Sequence, residues 1–345
     1  MGPDPAVAAV RLGVRRSLTG MAGDARRPGP LNASGLANAP LVLAACSGGP
    51  DSLALAAALA FEAPRLGLRA GSVTVDHGLQ PGSAEQAARV SKTLRGLGLD
   101  PVACLRAEVA GRSEAGAYPG PEAAARRARY AAIEAAAVEY GATAVLLGHT
   151  MDDQAETVLL GLARGSGARS LAGMQPASGR YLRPVLGLRR AQTIAACAAQ
   201  GLDTWEDPQN ADPAFARTRV RRQILPLMEE LLGPGITEAL ARTADGLRTD
   251  ADALDTLADE AAERLTCAGS GLEVTALSEL PAAIRTRLLK RAAIAAGAPA
   301  GSLSAAHVAQ LDALVTAWRG QRGTDLPGGV RCVRRYGRLQ FTTSQ

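Results

Sequence analysis

Between Leu41 and Leu55 the chain reads LVLAACSGGPDSLAL. An apolar run of strand length ends in six small or turn-forming residues, and an apolar, alanine-rich run of helical character follows. Gly48 and Gly49 break either regular structure at the junction. Pro50 fits the first turn of a helix, where its missing N–H costs nothing. Strand, tight turn and helix in that order form the opening half of a parallel βαβ unit. Strand patterns recur at Ala70–Val75, Pro101–Leu105 and Ala142–Leu147, and helical patterns at 51–61, 84–97, 122–140 and 152–162. The fold class is therefore α/β with a parallel, Rossmann-like sheet. Such sheets bind ligands beyond the carboxyl ends of their strands. Three polar clusters, 47–52, 76–79 and 149–156, fall there.

The flanks read differently. Residues 6–18 form one short helix with Val7, Val10, Val14 and Leu18 on one side, and residues 20–36 read as loop. After about residue 185 the alternation fades into helical patterns at 189–200, 215–232 and 236–265, followed by a smaller segment ending in a hairpin around Pro327-Gly328-Gly329. The expected division is an extension (1–37), a nucleotide-binding domain (38–220) and a smaller, mostly helical domain (221–345).

Composition limits the function classes. No apolar stretch has the length of a membrane span, and Arg11, Arg15 and Arg16 interrupt any leader-like core near the start. The five cysteines are scattered without a CxxC pair, which argues against a zinc knuckle or a redox pair and suggests a reducing, cytoplasmic setting. The net charge of +5 is compatible with an anionic partner. Lys92 and Lys290 are the only lysines, so nearly all the positive charge is arginine, which suits bidentate phosphate contacts but also fits a coding bias.

At the 47–52 turn, backbone N–H groups at a helix start make a cradle for an anion, and Gly48 and Gly49 let a phosphate approach closely. Ser47 and Ser52 add hydroxyl donors, and Asp51 can pair with a metal ion that accompanies phosphates. The turn is neither a Walker A loop, since no Gly-Lys pair exists, nor a GxGxxG fingerprint.

The run Ser47-Gly48-Gly49-Pro50-Asp51-Ser52 resembles the SGGxDS loop of the PP-loop ATP pyrophosphatases. Further stretches resemble one family within that group, the tRNA(Ile)-lysidine synthetases. Val75-Asp76-His77-Gly78-Leu79 is similar to their VDHGL. Glu122 to Tyr130 is similar to ExxARxxRY, and Gly148 to Thr157 to GHxxDDQAET. Arg164–Gly167 with Leu171–Met174, Arg183–Leu186, Trp205–Asn210 and Phe215–Arg221 are similar to RGxG…LxGM, RPLL, WxxDPSN and FxRNRxR. Gln209 and Thr218 stand where Ser and Asn are usual. Longer members carry a further C-terminal domain, for which this chain is too short.

The resemblance implies ATP-dependent ligation of free L-lysine to carbon 2 of the wobble cytidine in the CAU anticodon of isoleucine tRNA, through an adenylated cytidine. ATP would be held by Ser47, Gly48, Gly49, Pro50, Asp51, Ser52, Asp76 and His77, and Mg by Asp51 and Asp152. Arg126 and Arg129, three apart on one helix, would reach the phosphates or the adenylated base. Asp153 and Glu156, at i and i+3, would receive the lysine ammonium groups, although such a pair also suits a helix cap. His149 is a candidate general base or an orienting hydrogen-bond donor. Arg183, Arg217, Arg219 and Arg221 would lie along the tRNA, with Tyr181, Trp205, Phe215 and Tyr336 as candidates for base stacking. A homodimer is one compatible state. Other readings are a PP-loop tRNA thiolase, which usually needs the CxxC pair missing here, a PP-loop amide-forming enzyme, and a non-catalytic RNA-binding relative.

Overall fold

The computed structural model describes residues 2–19, 39–76, 78, 82–106, 121–165, 167–205, 212–266 and 271–343. The chain divides into two compact units, residues 1–164 with 173–242, and residues 165–172 with 243–345. The division falls within one helix, Ile236–Thr266.

The first unit holds six strands: β1 (Leu41–Ala45), β2 (Arg69–Asp76), β3 (Val102–Arg106), β4 (Ala142–Leu147), β5 (Ala177–Ser178) and β6 (Tyr181–Leu182). Their order in the sheet is β3-β2-β1-β4-β6-β5. All neighbouring pairs are parallel except β5 with β6 at one edge. β1 is central and covered on both faces, as its unbroken apolar run requires. Its odd and even residues serve two cores. Val42 and Ala44 pack with helices α1 (Pro5–Thr19) and α2 (Pro50–Glu62), through Val10, Val14, Leu18, Leu53, Leu55 and Leu59. Leu41 and Leu43 face the other way, toward Ile133, Ala136 and Ala137 of α4 (Pro121–Glu139). Helix α3 (Ser83–Gly96) connects β2 to β3, and α5 (Met151–Ala163) follows β4.

Helix α1 is part of the core rather than an ornament. Val14 and Leu18 are fully buried, and Arg15 makes two hydrogen bonds to the buried Glu62 carboxylate at the end of α2, at 2.9 and 2.8 Å. The first unit ends with α6 (Arg190–Ala199), α7 (Ala216–Arg219), a π turn (Val220–Ile224), α8 (Leu225–Leu232) and the start of α9 (Ile236–Thr266). Pro226 accounts for the π turn, because its ring would strike the carbonyl four residues back. The helix widens instead, and Leu225 N–H bonds Val220 O.

The second unit contains a four-stranded antiparallel sheet, β7 (Leu272–Glu273), β8 (Thr324–Leu326), β9 (Val330–Arg335) and β10 (Arg338–Thr343), in the order β7-β10-β9-β8. Helices α10 (Ala282–Ala295) and α11 (Ala305–Thr316) pack with it around Leu277, Leu289, Leu311, Cys332 and Leu339. The expected hairpin at 327–329 joins β8 to β9. A second one escaped the sequence reading: Tyr336 and Gly337, with φ of 48° and 73°, turn β9 into β10. Among the described residues, no helix is long and apolar enough to cross a membrane.

If α1 belongs to the core, Leu18→Ala should destabilise the first unit by about 2–5 kcal/mol in chemical denaturation, the usual range for such truncations. A loss below about 0.5 kcal/mol would mean the helix is only loosely attached.

Candidate active site

β1 and β4 are adjacent and parallel, so the loops that leave their carboxyl ends open on the same edge of the sheet. Residue 148 must be glycine there: a Cβ would lie 2.9 Å from the backbone N and Cα of Ser52. That close approach presses the end of β4 against the first turn of α2.

The 47–52 turn is held from within. Ser47 N–H donates to Ser52 Oγ at 3.1 Å, and Ser52 Oγ donates to Gly49 O at 3.0 Å. Gly48 adopts φ +86°, where a side chain would be strained and would also meet Val90. Trp205 N–H closes over the turn onto Gly48 O at 2.9 Å. Pro50 opens α2 at the position expected for it, and Gly49 caps it.

Asp51, the next residue of α2, is mostly buried. Its Oδ2 accepts from Arg190 Nε at 2.9 Å, and its Oδ1 accepts from Thr193 Oγ1. Burial raises its carboxyl above the ordinary range, and Arg190 and Thr193 only partly offset this. From the sequence Arg190 stands only as one member of a basic run read, like the other arginine runs, as part of an RNA track, and Thr193 is not marked at all. Both lie on α6, some 140 residues away, and no local pattern marks their contact with Asp51.

Asp153 and Glu156 sit in the first two turns of α5. One oxygen of Asp153 caps the helix, accepting from Thr150 N at 2.8 Å and Thr150 Oγ1 at 3.0 Å. The other faces three guanidiniums, those of Arg190 at 3.3 Å, Arg217 at 3.4 Å and Arg221 at 3.1 Å. Cap and charge cluster, alternatives in the sequence, thus use different oxygens of one carboxylate. Burial opposes ionisation of Asp153, but Arg190, Arg217, the Thr150 N–H and Arg221 outweigh it and hold the carboxyl below its usual value. Glu156 is fully buried and takes Arg217 Nε and Arg221 Nε, each at 2.6 Å. Asp152 accepts from Arg190 N–H at 2.7 Å and lies 3.5 Å from Arg189 Nε. Gln154 clasps the Met174 backbone with both ends of its amide.

Arg190 therefore ties the 47–52 turn to the acids of α5. Arg217 and Arg221, read from the sequence as part of an RNA track, are both turned onto Asp153 and Glu156. They are four apart on one helix face, where α7 runs into the π turn. Arg219 points elsewhere, donating to the exposed carbonyls of Pro213 and Ala214. Arg183 donates to Gln175 O at 2.8 Å, and its Nε is buried without a partner among the described residues.

On α4, Arg126 is exposed and Arg129 half-buried, with guanidinium carbons 5.0 and 5.9 Å from the Tyr130 ring centre. Among the described residues Arg129 has no carboxylate partner. Burial and the neighbouring Arg126 lower its pKa, the mark of a cation short of an anion. His149 lies two residues beyond the end of β4, within electrostatic reach of Asp153, Arg183, Arg126 and Arg217. Burial is the main cause, and its pKa falls to about 3. Its Nδ1 is buried and unpartnered among the described residues. Asp76 ends β2 beside this edge and accepts from Gly78 N–H at 2.9 Å. His77, Leu79, Ser166 and residues 206–211 lie outside the described residues.

With a folded-state pKa of about 3 against about 6.5 in the unfolded chain, the unfolded form takes up this proton first. Stability is thus lost as pH falls from about 6.5 toward 3, and none is lost here above that window. An NMR titration of the His149 ring in the free protein should show no step between pH 5 and 8. A midpoint near 6.5 would contradict the burial described.

A family model for a PP-loop domain matches residues 29–228, and one for a TilS substrate binding domain matches residues 272–340. The chain is 56% identical over 338 residues to the tRNA(Ile)-lysidine synthase of Thermobifida fusca, covering 98% of each chain. It is 56% identical to that of Streptomyces coelicolor (98% of this chain, 99% of the relative), and 48% identical to that of Mycobacterium tuberculosis (84% and 85%). Among solved structures, the U34-tRNA thiolase NcsA from Methanococcus maripaludis with its 4Fe-4S cluster superposes with a TM-score of 0.54 at 16% identity, over 70% of this chain and 79% of that one. This likeness extends to the fold alone. With its PP-loop domain and these full-length similarities, the chain belongs to the tRNA(Ile)-lysidine synthase family.

Proposed function

We propose that this protein uses ATP to join free L-lysine to carbon 2 of the wobble cytidine in the CAU anticodon of isoleucine tRNA, in the cytoplasm. The observation that carries the reading is the link made by Arg190 between Asp51, at the phosphate-type turn, and Asp153, in the acid pair of α5. A triphosphate cradle and an amine receptor are thereby neighbours.

Residues 47–52 hold the β and γ phosphates, with Asp76 and His77 on the nucleoside side. The cytosine O2 attacks the α-phosphate and pyrophosphate leaves. The ε-amine of lysine then attacks carbon 2 and AMP departs. Such transfers depend chiefly on positioning and on cations that meet the developing charge. Arg129, half-buried without an ion pair among the described residues, suits that task, with Arg126 beside it. Asp153 and Glu156 receive the ammonium groups of lysine.

Among the described residues no three His, Cys, Asp or Glu side chains group as a metal site. Asp51, a buried acid beside the phosphate turn, fits Mg brought in with ATP, with Asp152 as a second oxygen donor. Mg usually binds in this way, through one or two carboxylates plus phosphates. When bound, it would neutralise phosphate charge. His149, a neutral imidazole with a free Nδ1, stands ready to hydrogen-bond the reacting groups. Burial is the main reason it is a weak base, with Arg183, Arg126 and Arg217 adding to the effect, so an anion beside these arginines would raise its basicity in part. Arg183 and Arg219 provide contacts to the tRNA backbone.

The direct test is mass spectrometry of the wobble nucleoside after incubation with ATP, lysine and isoleucine tRNA. A gain of one lysine residue on cytidine is expected, and unmodified cytidine would overturn the reading. Asp51→Ala should lower AMP release at least 100-fold while tRNA binding persists. Glu156→Gln should raise the KM for lysine far more than that for ATP; equal changes would remove this residue from lysine binding. Arg219→Ala should lower the salt dependence of tRNA binding by about one phosphate contact, and an unchanged slope would exclude it.

A further inference from the structure

The acid pair assigned to lysine is already occupied. Six ion pairs connect three carboxylates, Asp51, Asp153 and Glu156, with three guanidiniums, Arg190, Arg217 and Arg221. The set is neutral. The carboxylates are 15%, 9% and 0% exposed and the guanidiniums 23%, 28% and 28%, so water screens these pairs only partly.

We infer that Arg217 and Arg221 act as positioning residues that keep the amine site shut until a phosphate oxyanion draws them away, so that lysine and the phosphate ligand bind with positive coupling. The inference rests on Asp153 and Glu156 being the lysine site.

The argument is one of charge. Glu156 is fully buried and both its oxygens accept from arginine nitrogens at 2.6 Å, so a lysine ammonium reaches it by displacing Arg217 or Arg221. Lysine carries two ammonium groups and one carboxylate, so its entry leaves the cluster with a surplus positive charge. A displaced guanidinium has no spare carboxylate within the set, and Arg129, which is electrostatically coupled to Arg217, is itself without an ion pair among the described residues. A half-buried, unpaired cation is costly. A phosphate oxyanion beside Arg129 removes that cost. Arg221 lies in the π turn 220–224, where this helix leaves α geometry, and Arg217 lies in the α turn just before it. Such turns offer a second hydrogen-bond register, and they are frequent at functional sites.

The oxyanion has two sources, the polyphosphate of ATP and the backbone of the tRNA. Equilibrium dialysis of labelled L-lysine against the full chain separates them. It is run in four arms: protein alone, with α,β-methylene ATP and Mg, with isoleucine tRNA, and with both. The expected result is a lysine Kd at least fivefold lower in the arm that supplies the oxyanion, since couplings between sites commonly fall between about 5- and 150-fold. By linkage, lysine must tighten that anion by the same factor, an independent check. In Arg221→Gln, with a circular dichroism spectrum like that of the wild type, lysine binds more tightly without anion and the ratio falls toward one. Equal Kd values in all four wild-type arms would overturn the coupling and leave the lysine site standing. Lysine bound in no arm would instead remove the acid pair as the lysine site, and the inference with it. A ratio in Arg221→Gln as large as in the wild type would overturn the part assigned to that arginine.

Discussion

Carboxylates that converge beyond the ends of two adjacent parallel strands repel one another, and burial makes the repulsion stronger. Asp51 at the start of α2 and Asp153 and Glu156 on α5 can share this crevice only because arginines from later in the chain neutralise them. The rest of the site follows from that requirement. Gly148 lets the strand end approach α2 closely, which brings the acids together. Arg190, on the first turn of α6, then joins them. The same neutralisation gives the site its chemistry, because a crevice lined with acids and arginines can trade one internal partner for an amine and another for a phosphate.

The scaffold around the crevice was open to reading at the level of single residues. Strands and helices around residues 41–163 lie within a residue or two of the positions that the apolar runs, Gly48 and Pro50 imply. The reason is local: continuous apolar runs of strand length alternate with alanine-rich helices, and Gly and Pro punctuate them. The two-residue strands β5 and β6 escaped because they are too short to show a period. The Tyr336–Gly337 turn escaped because only the glycine hints at it.

The site was legible in part. The 47–52 turn, the acids of α5 and the Arg126–Arg129 pair could be singled out, since each is a compact motif. Thr193 could not be, and Arg190 stood out only as one of a run of arginines, without its role. Their partner Asp51 lies 139 and 142 residues away, and an arginine at the first turn of a helix carries no local signal of what it faces. Arg217 and Arg221 show the opposite difficulty. A basic run in a protein that resembles a tRNA modifier invites a reading as an RNA track, yet here both side chains fold inward onto Asp153 and Glu156 while Arg219, between them, turns outward. Spacing carried that information: positions four apart share a helix face and the one between does not. Pro226 carried a further clue, because the widened turn it produces follows Arg217 and contains Arg221.

The account depends on the turn at Ser47–Ser52 gripping the leaving end of ATP while the acids beside it take up an amine. The most direct measurement is product analysis with ATP labelled in parallel at the α- and the γ-phosphate, supplied with isoleucine tRNA and lysine. The account predicts AMP and pyrophosphate in equal amounts, formed only when the tRNA is present. Release of ADP and inorganic phosphate, or no consumption of ATP at all, would contradict it.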